Sequence, residues 1–223
     1  MAYCYALIAH DGFSTTFQDP LENSPVRVPI TADGELFKKA TALGEELLWL
    51  QTFGERFDSE SRPRNTLPKV EKLYWLRPVT EIPFSMKSIR FDEENKELHI
   101  GDGVISNVSP DIWNFEVSGL RVLDKWLGAR TQKGIGRASG KNATPLDLIR
   151  PTQWEDEWND ELLDLLRMLA KTLELAPAQA AVLDSVLKGP LIKADSLPTP
   201  SEAERKVPKT VKREFGQTMM GFS

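Results

Sequence analysis

The sequence predicts an α+β protein in which helical segments pack around a small antiparallel β-sheet. Apolar residues recur at three- and four-residue spacing near both ends of the chain, a pattern typical of amphipathic helices. Between Tyr74 and Gly119 the pattern changes to short alternating runs separated by turn residues, which is typical of antiparallel strands. A hydrophobic fraction of 40% in 223 residues is enough for a packed core. We expect a domain at residues 1–190 and a weakly ordered, proline-rich and charged tail at residues 191–223.

Two helical regions precede the middle of the chain. The opening AYCYALIAHDGFSTTF has apolar residues at helical spacing and predicts one helix or a helical pair. Three prolines in PLENSPVRVPIT predict an extended connection. Asp33 then offers an N-cap for a helix whose apolar face includes Leu36 and Leu50. The polar, proline-containing stretch Ser59–Lys69 predicts a surface loop.

The middle of the chain predicts a β-hairpin and a further strand. Ile89 and Phe91 alternate with charged residues, and the polar EENKE segment that follows can form a turn. Leu98 and Ile100 then repeat the alternation. The further strand is predicted from the alternation of Trp113, Phe115 and Val117.

Helical spacing returns after this region. In LRVLDKWLGAR the leucines and Trp126 share one face, and we expect Gly128 to close the helix. The next stretch, TQKGIGRASGKNA, has three glycines and no core pattern, so it predicts an exposed loop. Thr144 and Pro145 predict the start of a short helix. Two more helices are predicted, one at 154–173 and one that Pro177 opens and that continues through position 187.

The charge is distributed unevenly along the chain. A net charge of -5 argues against a protein that coats nucleic acid by bulk attraction, so any DNA binding must come from a local basic surface. The segment 121–150 has seven basic and two acidic residues, whereas the segment 151–190 has three basic and eight acidic residues. The basic segment is therefore the candidate partner-facing side.

Few residue types that carry catalysis or bind metals are present. The single cysteine, Cys4, cannot form an internal disulfide, and the apolar start of the chain is too short to cross a bilayer, so we expect a location in the reducing cytoplasm. His10 beside Asp11 is more typical of a helix cap than of a catalytic base. The acidic residues of 155–161 are more typical of a solvated first helical turn than of a metal site, and the tryptophans are more typical of core packing than of base stacking.

The glycine-rich GIGRASGK segment invites comparison with phosphate-binding loops. A Walker-type loop requires glycine where Ile135 stands and serine or threonine where Asn142 stands, so the spacing fails. Two interpretations remain for the segment: a flexible loop, or a loop that contacts a nucleic-acid backbone.

Three blocks of sequence carry a family resemblance. The first is YCYALIAHDGFSTTF with PVRVPIT, the second is LFKKATALGEELLWLQTFGE, and the third and most specific is VSPDIWNFEVSGLRVLDKWLGAR. In this order they resemble the C-terminal specificity domain of type ISP restriction-modification enzymes, which follows an adenine methyltransferase. Val26 departs from the pattern, since the family tends to have proline before the residue that matches Arg27. The resemblance spans Tyr3 to Leu187.

The resemblance implies recognition of specific double-stranded DNA sequences for an N6-adenine methyltransferase, linked to a translocase and nuclease, in the same or another chain. The methyltransferase flips and modifies the base. The Asn-Pro-Pro-Tyr type motif and the glycine-rich methyl-donor loop of such methyltransferases do not occur in this sequence. We therefore expect no enzyme activity, cofactor or metal from this chain on its own.

Charge and loop character select the candidate DNA-contacting residues. Contacts with phosphates are expected from Arg121, Lys125, Arg130, Lys133, Arg137 and Lys141. Contacts with bases are expected from Gln132 and Asn142. A second candidate patch consists of Arg62 and Arg64 in the proline-containing loop. For each of these residues the alternative is an ordinary solvated surface side chain.

Two competing interpretations belong to other functional classes. One is a protein-interaction or scaffolding module that docks a larger DNA-processing enzyme through its apolar N-terminal helix. The other, which fewer residues support, is a small enzyme that uses His10 or the acidic cluster. Salt dependence separates DNA binding from apolar docking, because only phosphate contacts make affinity fall steeply with ionic strength.

Overall fold

The structure, a computed structural model, describes residues 1–24, 26–133, 145 and 149–206. The helices in this part of the chain are α1 (Ala2–Ile8), α2 (Asp11–Thr16), α3 (Gln18–Asn23), α4 (Gly34–Gln51), α5 (Pro110–Trp113), α6 (Val122–Ala129) and α7 (Glu157–Lys188). Its strands are β1 (Trp75–Arg77), β2 (Ile89–Asp92), β3 (Glu97–Ile100), β4 (Gly103–Ile105), β5 (Glu116–Val117) and β6 (Leu120–Arg121). Short 3₁₀ helices occur at Met86–Ser88 and Ala194–Ser196. The fold class is α+β, which confirms the sequence prediction.

The main sheet is antiparallel, with the strand order β1-β4-β3-β2. In the β2–β3 hairpin Ile89 lies opposite Ile100, and Phe91 lies opposite Leu98. Because side chains alternate between the two faces of a sheet, this register places the apolar residues of both strands together on one face. The predicted hairpin is confirmed. A separate two-stranded hairpin consists of β5 and β6.

The larger hydrophobic cluster joins the main sheet to α6 and the first half of α7. Its fully buried side chains include Leu98, Ile100, Ile105, Leu123, Leu127, Leu162 and Leu166. Asn159 of α7 supplies a polar link inside this cluster. Its side-chain oxygen accepts hydrogen bonds from the Val79 amide at 3.1 Å and the Trp154 indole at 3.2 Å, and its nitrogen donates to the Val79 carbonyl at 3.1 Å.

A second cluster joins the N-terminal helices to the last turns of α7. Its buried side chains are Tyr3, Leu7, Phe13, Ala40, Val182, Leu183 and Val186. The α1 and α4 backbones approach closely at Gly44, where an added Cβ would lie 1.9 Å from the Ala2 carbonyl oxygen. Because α7 contributes to both clusters, this one helix connects the N-terminal helices to the sheet.

The predictions for the N-terminal region are largely confirmed. The opening segment forms the helical pair α1 and α2, and the Asp33 carboxylate caps α4 by accepting hydrogen bonds from the amides of Glu35 at 2.9 Å and Leu36 at 3.1 Å. The extended connection is wrong for residues 20–23, which belong to α3 (Gln18–Asn23) with Pro20 near its start. A proline is tolerated in the first turn of a helix, because the amide hydrogen that it lacks would have no intrahelical acceptor there.

The strand predicted at Trp113, Phe115 and Val117 is wrong in its first part. Trp113 ends α5, and only Glu116–Val117 form a strand, β5. The reason is a local helix start: the Ser109 hydroxyl accepts a hydrogen bond from the Ile112 amide at 3.2 Å, and Pro110 follows the cap. A serine cap followed by proline favours a helical turn, and here it outweighs the alternating pattern.

Three details of the later helices also differ from prediction. Pro177 lies inside α7 and does not open a new helix, since apolar side chains on both sides of it pack into the two clusters. Gly128 lies within α6, which ends one residue later. Leu120, expected on the apolar face of that helix, belongs to β6 and is exposed.

The remaining predictions concern two loops and the C-terminal tail, and the structure describes only part of these segments. The Ser59–Lys69 segment contains no helix, and its one β-bridge joins Ser59 to Arg62, so the predicted loop is confirmed. The loop and short helix expected at 134–148 lie outside the described residues, apart from Pro145. Every residue from 191 to 206 is exposed. The domain boundary at residue 190 and the weak order of the tail stay predictions.

Candidate nucleic-acid interface

Lys125, one of the predicted phosphate contacts, lies on helix α6. Leu123 and Leu127 are buried in the larger cluster and thereby fix the orientation of the helix. Lys125 is exposed as a result, and it makes no ion pair with any side chain in the described part of the chain. Its ammonium group is available to a partner.

Arg121 lies at the end of β6 and is held by its neighbours. Its guanidinium carbon lies 5.1 Å from the centroid of the Trp113 ring, and its Nη1 lies 3.6 Å from the Asp124 carboxylate. Trp113 in turn stacks on Phe91, with their ring centroids 5.5 Å apart. The guanidinium group of Arg121 therefore already interacts with a carboxylate and an aromatic ring, and a contact with a phosphate would have to replace these interactions.

Arg130 is held even more firmly. Its guanidinium carbon lies 3.7 Å from the centroid of Trp126 and 5.2 Å from that of Trp158. Its Nη2 donates a 2.9 Å hydrogen bond to Glu161 of α7. This ion pair joins the basic segment of the chain to the acidic segment. The contacts favour a structural role for Arg130.

Gln132 and Lys133 follow α6 and have exposed side chains. Their backbone is fixed by two hydrogen bonds: the Gln132 amide donates to the Pro83 carbonyl at 3.1 Å, and the Lys133 amide donates to the Phe84 carbonyl at 2.9 Å. The two side chains therefore project from an anchored backbone. Such anchoring lowers the entropy cost of binding.

The second predicted patch lies in the loop after α4. Arg62 Nη2 lies 3.6 Å from the Glu45 carboxylate, and the Arg62 side chain is largely buried, whereas Arg64 is exposed and has no ion-pair partner among the described residues. The Trp49 indole of α4 donates a 3.3 Å hydrogen bond to the Pro63 carbonyl and holds the loop against that helix. Arg64 is the available cation of this patch.

Three predicted contacts, Arg137, Lys141 and Asn142, lie outside the described residues. One residue that sequence reasoning missed is Lys87, an exposed side chain in the 3₁₀ helix that follows Phe84. No sequence signal places it near α6, because the contact of its 3₁₀ helix with α6 forms only in the folded chain.

His10, which was weighed as a catalytic base, has a structural partner, and so does Asp102, which the sequence patterns did not single out. The His10 imidazole caps α2 by accepting a 3.0 Å hydrogen bond from the Gly12 amide, which confirms the capping interpretation. The Asp102 carboxylate accepts hydrogen bonds from Thr80 and Glu81. Partial burial opposes its ionisation, but these hydrogen bonds outweigh burial and hold the pKa of Asp102 below its usual value. Across residues 1–24, 26–133, 145 and 149–206, no three His, Cys, Asp or Glu side chains are grouped to hold a metal ion.

The tryptophans pack inside the protein. Trp49 and Trp154 are buried, and the rings of Trp75, Trp113, Trp126 and Trp158 are partly buried against the larger cluster. On α1, Tyr3 and Leu7 are buried in the second cluster, whereas Ile8 is 41% exposed. Docking of a larger enzyme through that helix stays an alternative prediction.

Comparisons with known proteins give one match. The model of the family described as the type ISP C-terminal specificity domain matches residues 1–165. No curated protein and no solved structure matches. Among the helices that the structure describes, none is both long enough and apolar enough to cross a membrane.

Proposed function

Because this chain belongs to the family of type ISP C-terminal specificity domains, we propose that it recognises specific double-stranded DNA sequences for an adjacent N6-adenine DNA methyltransferase. Family membership gives the chain a role in target recognition within a restriction-modification enzyme. The match over residues 1–165 is the observation that carries the proposal. The methyltransferase, with its translocase and nuclease, lies in the same or another chain, and the specificity domain contributes no catalytic group.

We place the centre of the DNA-binding surface at α6 and the segment that follows it. Lys125 and Lys133 are exposed cations without an ion-pair partner in the described residues, and they suit contacts with phosphates. Gln132 lies between α6 and Lys133 and suits a bidentate contact with an adenine edge. Arg137, Lys141 and Asn142 extend the same basic segment in sequence. Arg64 forms a second contact point on the loop after α4.

The contacts of Arg121 and Arg130 support a different task for these two residues. Each guanidinium group lies over a tryptophan ring and is paired with a carboxylate. Moving either group to a phosphate would break both contacts. They orient α6 and its flanking strand, and the lysines make the contacts with DNA.

The proposal is tested by measuring duplex affinity against salt concentration. Lys133→Ala removes one phosphate contact, so it weakens binding to all duplexes similarly and lowers the slope of log affinity against log salt by about 1. Gln132→Ala removes no charge, so it changes the preference among duplexes and leaves the slope unchanged. Fluorescence anisotropy with labelled duplexes gives both quantities.

Lys39→Ala is the matched control, because Lys39 is an exposed lysine of α4 without an ion-pair partner among the described residues. It should bind every duplex as the wild type does. If Lys39→Ala and Lys133→Ala lower the affinity equally, binding is a general charge effect and the proposed surface is wrong.

A further inference from the structure

We propose that Phe84 contacts the bases of the target duplex, as the apolar centre of a DNA-binding surface that also includes Lys87, Gln132 and Lys133. This inference rests on the proposed function. It adds a specificity-determining residue from a segment distant in sequence from α6.

The first support is the position of Phe84. The carbonyls of Pro83 and Phe84 accept hydrogen bonds from the amides of Gln132 and Lys133, at 3.1 and 2.9 Å. The backbone of Phe84 therefore lies next to that of Gln132 and Lys133. These two residues are the ones proposed above for a base contact and a phosphate contact. The 3₁₀ helix Met86–Ser88, which carries Lys87, begins two residues later.

The second support is exposure. The Phe84 residue is 64% exposed, the largest value for any aromatic residue in the part of the chain that the structure describes. Its backbone is anchored, so the ring is held outward from an ordered segment. Leaving a phenylalanine in water forfeits its burial free energy, and a large exposed apolar side chain at an ordered position is typical of a binding site.

The third support is charge, and it favours DNA as the occupant. The segments 82–88 and 125–133 contain four basic residues and no acidic one. Three of these, Lys87, Lys125 and Lys133, are exposed. An exposed apolar side chain on a backbone that adjoins Lys133, in a segment that also carries Lys87, a cation unpaired among the described residues, fits a polyanion whose bases present apolar surface. Proteins that bind duplexes use phenylalanine in this way, against a thymine methyl group or between base pairs.

The experiment compares variants on two probes: a labelled duplex cloned from the fraction of a randomised pool that the wild type retains, and poly(dI-dC). Phe84→Ala should bind the retained duplex about tenfold more weakly, a change of about 1.4 kcal/mol. It should keep the wild-type salt slope, since no charge is removed, and bind poly(dI-dC) as the wild type does. Phe84→Leu should retain most of the affinity, because it keeps an apolar side chain.

Tyr74→Ala is the matched control, because Tyr74 is 53% exposed and precedes β1, outside both of these basic segments. It should bind both probes as the wild type does. Urea unfolding of all three variants verifies that each is folded, which the high exposure of Phe84 and Tyr74 favours.

Wild-type affinity of Phe84→Ala for the retained duplex overturns the inference and leaves the proposed function standing. If Phe84→Ala keeps its DNA affinity but loses association with the methyltransferase, Phe84 belongs to a protein interface and the inference is also wrong. If the wild type retains no duplex from the pool, the proposed function fails and the inference fails with it.

Discussion

At the scale of single residues, burial and pairing separate the basic side chains into two groups. Arg121 and Arg130 lie over tryptophan rings and pair with carboxylates, whereas Lys125 and Lys133 have no such partners in the described residues. In the sequence all four look alike, because each is a cation in the same basic segment. The difference depends on Trp113, Trp158 and Glu161, which only the folded chain brings to the arginines.

Arg130→Gln should lower the free energy of unfolding by about 1–2 kcal/mol, because it removes a cation–π contact and an ion pair. Lys125→Ala should leave the stability unchanged and weaken duplex binding. Urea unfolding and anisotropy distinguish the two effects. Equal stability losses in the two variants would contradict this assignment.

Asp102 should make stability depend on pH. Because its folded pKa lies below the unfolded value, its hydrogen bonds to Thr80 and Glu81 contribute stability above the unfolded pKa, and that contribution is lost as the pH falls through the folded pKa. The stability difference between wild type and Asp102→Asn should therefore be largest near neutral pH and shrink in acid. Unfolding curves across this range measure it, and a difference that grows as the pH falls would refute the assignment.

At the scale of elements, close approach of α1 and α4 fixes the N-terminal half. Gly44 allows this approach, since a Cβ there would lie 1.9 Å from the Ala2 carbonyl oxygen. In the sequence Gly44 is simply a glycine within a predicted helix, where it costs helix stability relative to alanine. Glycine is needed at this position because α1 packs closely against α4, which is a tertiary contact.

Gly44→Ala should therefore lower the free energy of unfolding by about 2 kcal/mol or more despite the better helix propensity of alanine. Gly34→Ala is the matched control in the same helix, because a Cβ there has no neighbour within 4 Å. It should be neutral or slightly stabilising. Thermal unfolding followed by circular dichroism compares them, and similar midpoints would rule out the close contact.

The elements that the sequence predicted correctly have local causes. Asp33 caps α4 through its own next residues, and the β2–β3 hairpin has alternation on both sides of a short turn. Two predictions failed because a second signal was stronger. The Ser109 cap favours a helical turn where the alternation predicted a strand, and packing on both sides of Pro177 keeps α7 helical across that proline. The exposure of Phe84 and its position beside Lys133 could not be predicted, because they require contacts between distant segments.

At the scale of the whole molecule, α7 makes the two hydrophobic clusters one structure. Its first half contacts the sheet and α6, and its last turns contact α1, α2 and α4. The DNA-binding surface proposed at α6 and the Arg64 loop beside α4 are therefore both linked to this helix. Because both clusters contain residues of α7, unfolding of this helix in one cluster should also expose its residues in the other.

Leu183→Ala tests this coupling. Leu183 lies in the second cluster, whereas five of the six tryptophans, Trp75, Trp113, Trp126, Trp154 and Trp158, lie in or against the larger one, and Trp49 of α4 is part of neither. If the molecule unfolds as one unit, the substitution should lower the stability seen by tryptophan fluorescence by about 2–4 kcal/mol. A fluorescence transition that stays in place while circular dichroism shows an earlier one would show two independent units.

The most direct test of target recognition is selection of duplexes from a randomised DNA pool by the wild-type chain at two salt concentrations, followed by sequencing of the retained fraction. Our account predicts an enriched motif whose affinity falls steeply as salt rises, because bases supply the preference and phosphates supply much of the binding free energy. A retained fraction with no enriched motif at either salt concentration, or no retention at all, would contradict it.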